Sequence, residues 1–275
     1  MKLWLRRYWV ELAMLPLVVI MLTPMFLLLV TSFKMEDEIL NPAAILPTSW
    51  TLQNFRQILG NAEEIPIARW LLNSLMVSTS VTLLTLTVTS LAAFAFARLN
   101  LPGGHYVFLL VVATMMVPGQ VLLVPVYLQL NWLGWLDTLL ALIVPASASA
   151  FGVFLLHQFF LGIPKSLDES VYIDGGTRWH VYRHVALPVA RPAMVTLAIF
   201  VFIGSWNAFI EPMVFIDSVE RYTLPVGIAL FQTAYYTDYG LTLAAACIAT
   251  VPVVTIFLMY QKRIAEGIAL TGLKE

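Results

Sequence analysis

Residues 164–192 combine groups whose types and spacing suit recognition. Pro164-Lys165-Ser166-Leu167-Asp168-Glu169 opens the stretch, Asp174-Gly175-Gly176 interrupts it, and Leu187-Pro188 and Pro192 follow. Carboxylates beside the apolar Leu167, Val171, Tyr172 and Trp179 make a surface that can grip a partner in water. In so charged a segment those apolar residues have little reason to stay solvated. They mark either a docking surface or an amphipathic hairpin lying on lipid.

Local rules give this stretch a shape. Pro164 suits a helix start, where its missing N–H is not needed. Ser166-Leu-Asp-Glu169 matches the capping box S-x-x-E, so a first helix is expected to Ile173 or Asp174. Gly175-Gly176 then breaks it, because glycine enters left-handed backbone without strain. Thr177 can cap a second helix carrying Trp179, Val181, Tyr182 and Val185, and Leu187-Pro188 is expected to stop that helix.

Other chemistry is sparse. There is no GxxxxGK[ST] phosphate loop, and no HExxH or paired CxxC that would suggest zinc. His180 and His184 fall on one helix face but offer too few ligands for a metal, so they read as a solvated face. Cys247 sits in an apolar run as a small buried residue. Trp206-Asn207 is the most polar pair well inside an apolar segment. Such an Asn either bonds a neighbouring helix, worth about 0.6–2 kcal/mol, or touches a passing solute.

The elements that position these groups follow from composition. Of 275 residues, 60% are hydrophobic and 11% charged, with mean hydropathy +0.85. Soluble domains carry about 25% charged residues, so this chain is read as an integral membrane protein. The net charge of −1 gives no case for nucleic acid. Crossing the hydrocarbon takes about 20 apolar residues. Six stretches qualify, roughly 12–32, 71–97, 105–125, 139–160, 193–211 and 241–261. The fold class expected is therefore all-α: one polytopic domain over residues 1–275, with a hairpin at 164–192. The first stretch is long for a signal peptide and lacks a small-residue cleavage site, so it reads as an uncleaved span.

Charge sets the expected orientation. With the N-terminus inside, cytoplasmic segments hold Lys2, Arg6, Arg7, Arg98, Lys165, Arg178, Arg183, Arg191, Lys262, Arg263 and Lys274, eleven of the fifteen basic residues. The other side holds Lys34, Arg56, Arg69 and Arg221. Both termini and the hairpin are then cytoplasmic. Outside lie 33–70, with Pro42, Pro47, Trp50 and Trp70, and 126–138, with Trp132, Trp135 and Asp137. The long 212–240 connection, with Pro225, Gly227, Tyr235, Tyr236 and Tyr239, is either an interfacial turn or a loop reaching a soluble partner. Prolines 16, 24, 118, 145 and 252 predict kinked, packed helices. The spans carry almost no ionisable groups beyond Glu11 and Glu211 at their edges. That argues against an ion-driven carrier and leaves an external energy source or a passive channel.

Glu169-x4-Asp174-Gly175, then Leu187-Pro188 and Pro192, resembles the EAA motif of importer-type ABC transporter permeases. Ser170 and Val171 replace its two alanines, Gly176 its last alanine, and Tyr182 is its aromatic. Asn73-Ser74, Ala92 to Arg98 with Pro102-Gly103, Met115-Met116-Val117-Pro118, Ser205-Trp206-Asn207 and Gln261 to Gly267 look like carbohydrate-type permeases. Together they are similar to the second, shorter, six-span permease of the maltose-type group.

That resemblance implies a coupling helix docked in a groove of a separate ATP-hydrolysing subunit. Glu169 would meet a basic residue there, Asp174 and Gly175 would hold the turn, and Leu167, Val171 and Trp179 would form the apolar plug. Leu187 and Pro188 complete the motif. Implied partners are a homologous second permease, a dimer of ATP-binding subunits carrying ATP and Mg, an extracytoplasmic substrate-binding protein and the lipid membrane. No catalytic group, metal or cofactor is implied on this chain, which would lie in a bacterial or archaeal cell (inner) membrane. The solute would be a sugar, a polyol or a glycerophosphodiester. The 212–240 loop would enter the binding protein, and the tail after Arg263 would touch the ATPase pair. The competing reading is a passive channel or scaffold docking another cytoplasmic partner.

Overall fold

The computed structural model describes residues 2–41, 45–61, 63–232 and 238–272. Pro42, Tyr235, Tyr236 and Lys274 lie outside the described residues, as do the side chains of Lys2, Arg6, Arg7, Glu11, Lys262 and Arg263 and the expected tail contact after Arg263.

Helices dominate the chain. In order they include α1 (Lys2–Thr31), α2 (Ile67–Arg98), α3 (Gly104–Ala113), α4 (Leu123–Trp132), α5 (Leu140–Ala146), α6 (Ala150–Leu161), α7 (Lys165–Ile173), α8 (Arg178–Val181), α9 (Arg191–Trp206), α10 (Ile210–Phe215) and α11 (Tyr239–Gly272). Among the described residues, four stretches are long and apolar enough to cross a bilayer: Leu12–Thr31, Ile67–Arg98, Leu140–Leu161 and Tyr239–Gln261. The number rises to six if each of two bent pairs counts as one span.

Both bent pairs depart from the sequence expectation. The expected 105–125 span is broken: Gly104–Met116 and Gly119–Trp132 meet at 95°. Val117 is extended at φ −89° and ψ 117°, as a residue before proline prefers, and Pro118 supplies no donor. By contrast, Pro16, Pro24 and Pro252 sit inside unbroken helices. Leu187-Pro188 does not stop the second hairpin helix. The chain passes from α8 through a π-turn at Tyr182–Ala186, and Arg178–Val189 meets α9 at 73°. The Leu187 N–H reaches back to the Tyr182 carbonyl. That wider turn shifts the carbonyl register ahead of Pro188, and a bend follows, as π-turns and prolines produce. The expected 193–211 span also ends early, at Trp206, and helix resumes only at Ile210.

The chain divides into two compact units, Met1–Arg69 with Leu224–Val254, and Trp70–Thr223 with Thr255–Glu275. In the first, Asn54 Nδ2 donates to the carbonyls of Ser32 (3.1 Å) and Lys34 (2.9 Å). A Cβ on Gly240 would lie 2.8 Å from Asn54 Oδ1, so a larger residue where α11 begins would push the Asn54 amide aside. Phe33 packs on Phe55 with centroids 5.1 Å apart. The Thr48 N–H donates to Glu38, and that bond holds the Glu38 carboxyl below its usual range.

The second unit is built on α2. Its buried face carries Ser74, Ser78, Thr82, Thr85, Thr89 and Ser90, small residues at helical spacing that let neighbouring backbones approach. Thr82 and Thr89 donate back to the carbonyls of Ser78 and Thr85 at 2.6 Å. A Cβ on Gly152 of α6 would lie 2.9 Å from Thr89 Cγ2 and 3.1 Å from Leu197 Cδ2. One core gathers Phe94, Leu156, Phe160, Val181, Tyr182, Ala190 and Leu197. Another gathers Val77, Val81, Leu130, Leu142, Phe215 and Ile216.

Candidate functional site

The 164–192 hairpin stands on a short helix, a glycine turn and a second helix. Pro164 precedes α7 directly, with φ −58° and ψ 135°. Ser166 therefore lies inside the first turn, and its hydroxyl does not cap the helix. The expected S-x-x-E box is not formed, because Pro164 brings the helix start forward. The end of α7 follows expectation more closely. Gly175 adopts φ +76°; its N–H donates to Tyr172 O at 3.0 Å, and the Gly176 N–H to Val171 O at 2.8 Å. That pair of bonds is a Schellman motif. The two glycines serve different needs. Gly175 meets nothing within 4 Å but needs left-handed backbone, whereas a Cβ on Gly176 would lie 2.5 Å from Val171 Cγ1. Asp174 contributes through its backbone position; its carboxylate is exposed and makes no bond to the turn.

At the start of α8 the Thr177 N–H donates to His180 Nδ1 at 3.1 Å. His180 thus completes the cap from the third helical position, a role usually taken by Glu or Gln. His184 stacks on it with centroids 5.8 Å apart.

A buried anchor backs the hairpin. Arg98, the last residue of α2, reaches Asp168 Oδ2 at 3.1 Å and donates to Ile163 O at 2.6 Å. Its side chain is 7% exposed and that of Asp168 15%. Tyr182 bonds the Ser90 hydroxyl at 2.8 Å and packs on Phe94 and Trp179, with centroids 5.2 and 5.1 Å away.

The expected site residues then separate into inner and outer groups. Val171 and Leu187 are half-buried and pack against the core. Leu167, Glu169, Trp179 and Pro188 are exposed. Tyr172 joins that outer face, and so does Ile173, 85% exposed. Sequence reasoning passed over Ile173 as merely the end of α7. Arg98 entered only as one positive charge among several, although a lone cation closing an apolar helix asks for a partner.

The other end of α2 is held differently. Trp70 Nε1 donates to Val219 O at 2.7 Å, and Asn73 Nδ2 donates to the carbonyls of Glu220 (2.9 Å) and Tyr222 (3.0 Å). Asp137, at φ +56°, accepts from the Asp217 N–H (3.1 Å), the Ser218 N–H (2.9 Å), Ser218 Oγ (2.6 Å) and Arg221 Nη1 (2.7 Å). The Ser218 hydroxyl and N–H, then the Asp217 N–H and the Arg221 charge, hold its carboxyl below the usual range. Thus 217–223 is a fastened segment. Within the long 212–240 connection, 233–237 lie outside the described residues.

Of the two residues expected on a solute path, Trp206 is 2% exposed and stacks on Phe202 at 5.8 Å. Asn207 is exposed at the C-terminal end of α9, its N–H on Ile203 O at 3.0 Å. Neither lines the cavity of about 610 Å³ in this unit, which runs from Val77 and Val81 of α2 to Gly204, Ser205, Ala208, Glu211 and Thr223.

Residues 86–268, which contain the hairpin and its anchor, match the family described as "Binding-protein-dependent transport system inner membrane component". The chain belongs to that family. It is a permease: a transport subunit rather than an enzyme. The permease is 33% identical to the diacetylchitobiose uptake system permease protein NgcG of Streptomyces coelicolor, over 91% of this chain and 83% of the relative. It is 32% identical to the trehalose/maltose transport system permease protein MalG of Thermococcus litoralis, over 93% and 92%. Its fold matches, with TM-score 0.82 and 19% identity over 94% of this chain and 96% of the other, a chain in the crystal structure of a bacterial ABC transporter that imports the acidic polysaccharide alginate.

Proposed function

We propose that this permease spans the membrane six times with both termini cytoplasmic, forms half of the path for a sugar or sugar-like solute, and couples to a separate ATPase through residues 164–192. The observation that carries the coupling role is the exposed face of Leu167, Tyr172, Ile173 and Trp179 around the left-handed Gly175 turn. Several large exposed apolar groups gathered in one short charged hairpin mark a surface that another protein covers. Glu169 beside them supplies charge for a basic partner. The Arg98–Asp168 pair makes the hairpin a firm post, so a push on it is passed to α2 and, through the bend at Ala190, to α9.

A homologous permease completes the path. Two ATP-binding subunits carry ATP and Mg, and a substrate-binding protein docks on the opposite side. The names of the relatives, for diacetylchitobiose, arabinooligosaccharides and trehalose/maltose, support a sugar as the solute. The same relatives support a bacterial or archaeal cell membrane as its location.

The test is purification in mild detergent from the native membrane. A second permease and a Walker-A ATPase are expected in the same complex. Trp179→Asp or Ile173→Asp should release the ATPase while membrane insertion and the second permease remain. Recovery without a nucleotide-binding partner would end this reading.

A further inference from the structure

The cavity in the second unit has a feature the coupling role does not use. Thr223 lines it, is 3% exposed, and its Oγ1 has no hydrogen-bond partner. Buried hydroxyls are nearly always paired, so this one is left for something that enters. Ser149 also lines it; its Oγ accepts the Gly152 N–H at 3.0 Å, and its own hydrogen stays available. Among the described residues, Glu211 is the only charged one in the lining. The remaining walls are small or apolar, Ser205 and Phe215 among them, with Gly204 and Ala208 of the α9 side leaving room. A volume of about 610 Å³ lies within the range of small-molecule sites.

We infer that this cavity is a solute subsite on this chain, taking a neutral polyhydroxylated ligand and disfavouring an anionic one. The inference rests on the permease reading and deepens it. A sugar hydroxyl is both donor and acceptor, as are Thr223 and Ser149; the Glu211 carboxylate accepts from hydroxyls and repels carboxylates. The apolar walls suit the C–H faces of a sugar ring. Import of an acidic polysaccharide by a fold neighbour therefore does not carry over to this chain.

The test uses the assembled importer in proteoliposomes, with Cys247→Ser as background and Thr223→Cys as reporter. Modification by a cationic methanethiosulfonate should outpace the anionic reagent by about tenfold or more, because charge in a low-dielectric cleft focuses counter-ions. Glu211→Gln should bring the ratio to about one, while Glu220→Gln, outside the lining, leaves it. At least one member of a panel of neutral di- and trisaccharides should slow the reaction, and a mannuronate trisaccharide should not. With native Cys247, Thr223→Val should cut uptake several-fold while ATPase activity stimulated by the binding protein persists, and Thr223→Ser should restore uptake. A charge ratio indifferent to Glu211, protection by no neutral sugar, or equal protection by the anionic one overturns the subsite. Each of those results leaves the permease reading standing, since that reading falls only if no ATPase joins the complex.

Discussion

The two ends of the Ile67–Arg98 helix solve opposite problems. At the Trp70 end, three side chains fasten 217–223 through its own backbone, so the carbonyls of Val219, Glu220 and Tyr222 and the Ser218 N–H are satisfied within the chain. At the Arg98 end, an ion pair and an edge-on aromatic contact fasten only the back of the hairpin, and its front stays apolar and uncovered. The first end is bound within the chain. The second, on the proposed function, is completed by a partner. Net stability from hydrogen bonds is modest, about 1 kcal/mol each, so the first end relies on number, whereas the second relies on one buried pair that is expensive to break.

The comparison can be broken most severely at Gly175. Replacing it with valine forces a β-branched residue into left-handed backbone, a strain of roughly 1–3 kcal/mol. Uptake by the assembled importer should be lost, with insertion intact and hydrogen exchange at 217–223 unchanged. Loss of insertion would contradict the division of labour between the two ends.

The larger effect on stability, with a smaller one on uptake, belongs to Arg98→Ala. It strands a mostly buried Asp168 and should lower stability by about 3 kcal/mol, seen as a reduced thermal midpoint and faster proteolysis in 164–176. Arg98→Met with Asp168→Leu should recover most of that loss; failure to do so would show that the Ile163 carbonyl, not the ion pair, is the main anchor.

A finer cut separates the two glycines. Gly176→Ala meets Val171 Cγ1 at 2.5 Å and Val171 O at 2.8 Å, an overpacking that costs about 1–3 kcal/mol. Gly175→Ala meets open space and bears only the conformational cost, about 1 kcal/mol. The thermal midpoint should fall further for Gly176→Ala, and the reverse order would locate the tension in the turn instead of its packing.

The smallest effect belongs to Asp137→Asn. It weakens charge-assisted bonds to Ser218 and Arg221 by about 1–2 kcal/mol, raising amide exchange at Asp217 and Ser218 without touching the hairpin. The pH dependence has a definite sign. The folded chain holds the Asp137 proton more weakly than the unfolded chain does. Its stabilisation is therefore complete above the ordinary Asp value of about 3.9 and fades only as pH falls through the depressed folded value. Protection at 217–218, after correction for the intrinsic pH dependence of amide exchange, should thus stay high down to pH 4. Protection lost on acidification while the pH is still above 4 would remove Asp137 from its place in the clasp.

Local grammar made much of the hairpin legible. Pro164, Gly175 and Thr177 each act within a few residues, and each lies where a helix begins, ends or restarts. The error at Ser166 was also local: a capping box and a proline start compete for the same turn, and sequence alone does not rank them. Leu187-Pro188 misled because a π-turn and a bend can carry a helix past proline, and no short-range rule registers the change. The pairs Arg98–Asp168, Ser90–Tyr182 and Asp137–Ser218 were invisible because their partners lie far apart in the chain and are joined only by packing. Hydropathy marked the apolar stretches well but not the 95° break, since residues on both sides of Pro118 are equally apolar.

The Ile67–Arg98 helix carries no proline or glycine. From Trp70 to Arg98 it spans about 42 Å at 1.5 Å per residue. Its residue count is therefore a calibrated dimension of the molecule. One inserted residue would advance one end by about 1.5 Å and turn it by about 100°, swinging Arg98 away from Asp168 or Asn73 away from the Tyr222 carbonyl. Substitutions along its length can be absorbed singly, but a change in length has nowhere to go. Chains that share this arrangement should vary in the identity of residues 74–97 and hold their number constant.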